Sequence, residues 1–121
     1  MSRPAIVNLS IWQGNIEPFA IVLRDGSGDA IDPTGKTIVL TTHDLAEGTL
    51  TKSTADGSII IEDGATPSDP KRVRITFTAP QTRQLKLGSL SSYEIEVRSS
   101  GIEQTIMAGY FVVSGGNNGD A

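Results

Sequence analysis

The chain has 121 residues, a net charge of −4 and no cysteine, and 37% of it is hydrophobic. That length suits one domain with its own core; the lack of cysteine excludes disulfides, thiol catalysis and Cys-ligated zinc. Charges of both signs are interspersed, and the one basic cluster, Lys71-Arg72-Val73-Arg74, fits alternation along a strand better than a phosphate-binding face, so no nucleic-acid partner is expected.

Ala5 to Trp12 reads as a first strand, with Val7, Leu9 and Ile11 on one face and Ile6, Asn8, Ser10 and Trp12 on the other. Met1 to Ala5 does not lead into the apolar stretch of a signal peptide, and no apolar run reaches membrane-spanning length. The expectation is a soluble protein made in the cytoplasm, with no membrane partner. Gln13-Gly14-Asn15 breaks the chain before a second strand, Ile16 to Arg24, in which Phe19, Ile21 and Leu23 share a face. Pro18 lacks a donor, which places its end of that strand at an edge or a bulge.

Asp25-Gly26-Ser27-Gly28-Asp29 is a turn, and Thr34-Gly35 is another. Strands follow at Lys36 to Thr42, Thr49 to Ser53 and Ser58 to Glu62, the last with three consecutive isoleucines. Asp63 to Pro70 is the longest polar break. Lys71 to Thr78 puts Val73, Ile75 and Phe77 inward and Arg72, Arg74 and Thr76 outward. Pro80 near a first helical position marks one helical turn within Ala79 to Leu87, stopped by Gly88. Ser91 to Arg98 and Gln104 to Val113 form the last hairpin, with Tyr93, Ile95 and Val97 on the apolar face of its first strand and Glu94, Glu96 and Arg98 on the other.

Seven to nine short strands with turns about every ten residues predict an all-β, Ig-like antiparallel β-sandwich over residues 1–114, with a small barrel as the alternative. Residues 115–121 read as a flexible tail.

Each candidate for chemistry has a plainer reading beside it. Asp25, Ser27, Asp29 and Asp32 cluster as calcium ligands do, but an EF-hand loop from Asp25 needs Gly and Glu where Ala30 and Lys36 stand, so a polar turn accounts for them. His43-Asp44 has no nucleophile elbow to complete a triad, and a single histidine makes no His-rich metal site within one chain. Glu94 and Glu96 share a strand face, which suits a charge ladder opposite Arg72 or Arg74 better than two carboxylates across a glycosidase cleft. Trp12, Tyr93 and Tyr110 would make a sugar-stacking platform if exposed on one face; core packing is the competing reading. Asn8-Leu9-Ser10 matches a glycosylation sequon but lies mid-strand. No enzyme, cofactor, metal or small-molecule substrate is expected.

Several segments together carry a resemblance. They are Leu23-Arg24-Asp25-Gly26-Ser27-Gly28, Ala30-Ile31-Asp32-Pro33-Thr34-Gly35-Lys36-Thr37, Asp56-Gly57-Ser58-Ile59 and Arg74-Ile75-Thr76-Phe77-Thr78-Ala79-Pro80-Gln81-Thr82. Leu87-Gly88, Ser92-Tyr93-Glu94-Ile95-Glu96-Val97 and Met107-Ala108-Gly109-Tyr110-Phe111-Val112-Val113 complete the series. Over roughly residues 13–114 the chain resembles the small Ig-like virion proteins of tailed bacteriophages, and is similar to the N-terminal domain of phage baseplate upper proteins. Pro33 stands where the family turn usually has Leu, and Ser89-Leu90-Ser91 adds residues.

The resemblance implies a non-enzymatic structural protein of the virion, an adaptor in the tail, baseplate or fibre-attachment region. Its implied partners are other virion proteins and copies of itself. Head decoration is the nearest variant, and a free carbohydrate-binding sandwich is the rival of another class. Partner contacts are expected at the 1–12 segment, through Ile6, Asn8, Ser10 and Trp12, and at the tail, through Asn117 and Asn118. Deleting either segment is expected to leave the isolated domain folded.

Overall fold

The computed structural model describes residues 4–46 and 48–115. In chain order its elements are β1 (Ala5–Ile6), β2 (Leu9–Trp12), β3 (Glu17–Ile21), β4 (Thr37–His43), β5 (Thr51–Ser53), β6 (Ile59–Glu62), β7 (Arg72–Phe77), α1 (Ala79–Arg83), β8 (Ser92–Ser99) and β9 (Ile102–Ser114). They form a β-sandwich. A six-stranded sheet runs β5-β4-β8-β9 with β1 and β2 both on the far side of β9, and it packs against a three-stranded sheet, β3-β7-β6. The neighbours β9-β8-β4-β5 and β3-β7-β6 reproduce the strand order of an immunoglobulin-type sandwich, with the first strand lying beside the last.

Period-two alternation builds most of this. In β7, Val73, Ile75 and Phe77 are buried and the residues between them are not; in β8, Tyr93 and Ile95 are buried and pair across β4 with Thr42 and Leu40. Between the sheets a run of rings joins the layers. Phe19 meets Phe77 edge-on at 6.1 Å, Phe77 meets Phe111 at 5.6 Å, and Tyr93 lies 5.3 Å from Phe111. A bulge in β9 places Ile106 as the extra residue between the pairs Ile95–Met107 and Glu96–Thr105, so Ile106 and Met107 are both buried.

The expected helical turn is α1. Thr78 caps it: its hydroxyl accepts from the Gln81 N–H while the Gln81 side chain accepts from the Thr78 N–H, with Pro80 in the first turn. Buried Thr82 ties the helix to the loop after β2, donating to the Asn15 carbonyl and accepting from the Gly14 N–H, both at 2.9 Å.

Three expectations need correcting. The sandwich is not wholly antiparallel: β1 and β2 each pair in parallel with β9. Ala5 to Trp12 is not one strand but two, broken at Val7-Asn8. The break follows from a close approach, because a Cβ on Gly109 would lie 1.9 Å from the Val7 carbonyl oxygen. Three hydrogen bonds hold the crossing: Val7 N–H to the Ala108 carbonyl, the Tyr93 hydroxyl to the Val7 carbonyl, and Tyr110 N–H to Asn8 Oδ1. β2 is part of the sandwich proper, with Leu9 and Ile11 buried in the shared core.

The third correction concerns charge. Arg72 and Arg74 lie on the smaller sheet and bind Glu62, whereas Glu94 and Glu96 lie on the larger one and pair with His43 and Arg98.

Candidate functional site

The residues singled out at the N-terminus gather on the outer face of the larger sheet. Parallel register sets Ile6 beside Ala108, Ser10 beside Val112 and Trp12 beside Ser114. Because side chains alternate, Tyr110 and Val112 share that face, and Asn8 sits next to Tyr110 through its side-chain bond. Four large apolar side chains are left in water there: Ile6 at 72% exposed, Tyr110 at 52%, Trp12 at 43% and Val112 at 39%. Scattered single exposed apolar residues are ordinary, but a contiguous strip signals a contact surface. Asn117 and Asn118 lie outside the described residues.

Two shallow hollows flank the strip. One, of about 270 Å³, is lined by Ser10, Trp12, Glu17 and Val112. The other, also about 270 Å³, is lined by Ile6, His43, Glu94 and Tyr110. Each sets one half-exposed aromatic ring near one carboxylate. Glu17 uses one carboxylate oxygen to accept the Trp12 N–H at 2.7 Å. In the other hollow Glu94 Oε1 lies 3.2 Å from His43 Nε2. Tyr110 and Val112 were not among the expected interface residues. The alternation of β9 was legible, but that its outward face lay beside Ile6 and Trp12 depended on a parallel pairing that local pattern does not announce.

The remaining candidates are structural. Asp25 is committed to its turn, its Oδ1 accepting from the N–H groups of Ser27 and Asp29. Buried Ser91 donates to the Asp44 carbonyl and accepts from the Lys86 N–H. Tyr93 belongs to the core, and burial pushes its hydroxyl up to about 12. Among the described residues no group of three or more His, Cys, Asp or Glu side chains is placed to hold a metal ion. No helix among them is long and apolar enough to cross a membrane.

Lys52 is an inward-facing surprise. It is buried opposite Leu40, its Nζ 5.3 Å from the centre of the Phe77 ring. Desolvation lowers its pKa, and the ring's negative face offsets part of that cost.

On the opposite sheet Glu62 takes Arg72 Nε at 2.8 Å and Arg74 Nη2 at 3.0 Å. The Arg74 hydrogen bonds, then those of Arg72, hold the Glu62 carboxyl below its usual 4.5. A folded-state pKa below the unfolded one contributes stability above the unfolded value, and that contribution is lost as pH falls through the folded one. Glu62→Gln is therefore expected to lower the urea midpoint at about pH 7, and the gap to the parent is expected to narrow as the pH is lowered below the usual 4.5. A gap that stays constant with pH would refute the assignment.

The chain matches no protein-family model, and no curated protein is detectably similar to it.

Proposed function

We propose that this domain is a non-enzymatic structural component of a tailed-phage virion, an adaptor in the tail, baseplate or fibre-attachment region that works through protein–protein contacts. The observation that carries the docking role is the strip of Ile6, Trp12, Tyr110 and Val112 on one sheet face. Aromatic anchors in such a strip supply most of the binding energy of a small interface. Repetition around a symmetry axis multiplies modest contacts into stable assembly. The virion setting rests on the turn-and-strand resemblance, with head decoration as the nearest variant.

Mass spectrometry of purified particles, with heads and tails separated, tests the setting: stoichiometric recovery with tails supports the adaptor, recovery with heads supports decoration, and absence from both rejects the virion reading. For the surface, the double variant Trp12→Ser, Tyr110→Ser should fold but lose incorporation by at least roughly tenfold, since anchor residues of this type are each worth about 2 kcal/mol or more. Unchanged incorporation would remove the strip from the interface.

A second reading has one specific observation in its favour. Trp12 and Tyr110 are exposed on a shared face, as a carbohydrate-binding sandwich requires, although Tyr93 is not. Glycan binding by the isolated domain, lost in the same double variant, would favour it over the adaptor.

A further inference from the structure

Among the described residues, three of the four sheet edges carry a feature that discourages further strand pairing. At the β2 edge the Trp12 N–H donates to Glu17 and its carbonyl accepts from the Asn15 N–H. At the β5 edge Ser58 Oγ accepts from the Ser53 N–H at 2.8 Å and so occupies that outward donor. The β3 edge contains Pro18, which offers no donor.

The fourth edge is β6, and it carries none of these devices. Because Pro18 cannot share a doubly hydrogen-bonded pair, the bonded pairs between β3 and β7 fall at Phe77, Ile75 and Val73. The backbone groups of Arg72 and Arg74 therefore turn towards β6, where their register partners are Glu62 and Ile60. That leaves the N–H and C=O groups of Ile59 and Ile61 pointing away from the sheet. Among the described residues no turn, loop or side-chain hydrogen bond reaches them. The side chain of Ile60, between them, is 55% exposed.

We propose that β6 is a homotypic docking edge: two copies of the chain pair their β6 strands antiparallel about a two-fold axis at Ile60. The two three-stranded sheets then become one continuous sheet. The edge is self-complementary in this register. Ile59 of each copy bonds Ile61 of the second copy, and the exposed Ile60 side chains cover one another across the axis. Glu62 comes opposite Ser58 of the second copy, so no like charges face each other directly. Its carboxylate is already held by its own Arg72 and Arg74. A closed two-fold pair of this kind uses up both open edges and does not propagate into a fibre. The strand is short, so the contact is weak between free copies and gains strength when copies are held in a repeating assembly. β6 lies on the sheet opposite the Trp12–Tyr110 strip, so either surface can fail alone.

The test uses the absence of native cysteine. Position 60 faces its own copy in a non-hydrogen-bonded pair, with Cα atoms about 4.5 Å apart, inside the range a disulfide spans. Ile60→Cys should form a linked dimer at least roughly tenfold faster than Ile102→Cys, an equally simple cysteine on another exposed site, at the same concentration. In the unmodified chain, hydrogen exchange at the Ile59 and Ile61 amides should slow as concentration rises while that of Ile60 does not. Ile60→Lys should remain folded and abolish that dependence. Equal cross-linking rates for the two cysteine variants, or exchange at Ile59 and Ile61 that ignores concentration, would overturn the proposal.

Discussion

Alanine at Gly109 is expected to destabilise the domain by about 3–5 kcal/mol, through one methyl group. Gly109 is not needed for an unusual backbone conformation; it is needed because the Val7 carbonyl occupies the space where a side chain would stand, 1.9 Å from the Cβ position. The obstacle is backbone on both sides, so no rotamer relieves it. Moving Val7 away breaks the Val7 N–H bond to Ala108, the Tyr93 hydroxyl bond to the Val7 carbonyl and the Asn8 bond to Tyr110. Each is worth about 1 kcal/mol net, and the buried hydroxyl of Tyr93 costs more if it stays unpaired. For a domain of this size the sum corresponds to a fall in Tm of roughly 10–20 °C.

Gly101→Ala is the control. Its φ is +81° but nothing lies within 4 Å of the added methyl, so only the left-handed backbone penalty of about 1 kcal/mol applies. If Gly109→Ala melts within about 3 °C of the parent, the crossing of β1–β2 over β9 is not holding the fold.

That crossing also marks where sequence reading ran out. The strands themselves were legible because burial follows local pattern: Val73, Ile75 and Phe77 alternate inward, as do Tyr93 and Ile95. Proline, glycine and a Thr-x-x-Gln capping box likewise punctuate α1 in the sequence. Pairing partners are a different matter. Val7, Leu9 and Ile11 continue one alternation without interruption, and nothing in it shows that the chain bends between Val7 and Leu9. The available signal was at the other end of the chain: a glycine inside the strand Met107-Ala108-Gly109-Tyr110 is a mark of close backbone approach. The same limit misplaced the charge ladder. Glu94, Glu96, Arg72 and Arg74 all face outward as expected, but on opposite sheets. Their true partners, His43, Arg98 and Glu62, follow only from the strand order. Lys52 defied the pattern because a charge at an inward position is tolerated only where its stem packs and its head meets the Phe77 ring.

Removing residues 1–12 is expected to unfold the domain, the reverse of what the sequence suggested. The deletion takes Leu9 and Ile11 out of the core, at 8% and 3% exposed. Truncating a single buried Leu or Ile to Ala costs about 2–5 kcal/mol, so losing both whole residues costs roughly 4–10 kcal/mol, comparable with the total stability of a domain. It also strips β9 of the partner it has along Leu9 to Trp12 and exposes a long apolar edge. The truncated chain should therefore aggregate or lack a cooperative urea transition. A peptide spanning residues 4–15, added in trans, should restore that transition, because the groove between β9 and the core is shaped for Leu9 and Ile11 and supplies parallel hydrogen bonds. If the truncated chain instead unfolds cooperatively within about 1 kcal/mol of the parent, the N-terminal strands are an ornament on the sandwich, and their exposed residues Ile6, Asn8, Ser10 and Trp12 are free to leave it when a partner binds. Cooperative loss with rescue by the peptide means the reverse: a partner meets those four side chains on a rigid sheet, as a preformed surface that loses little entropy on docking.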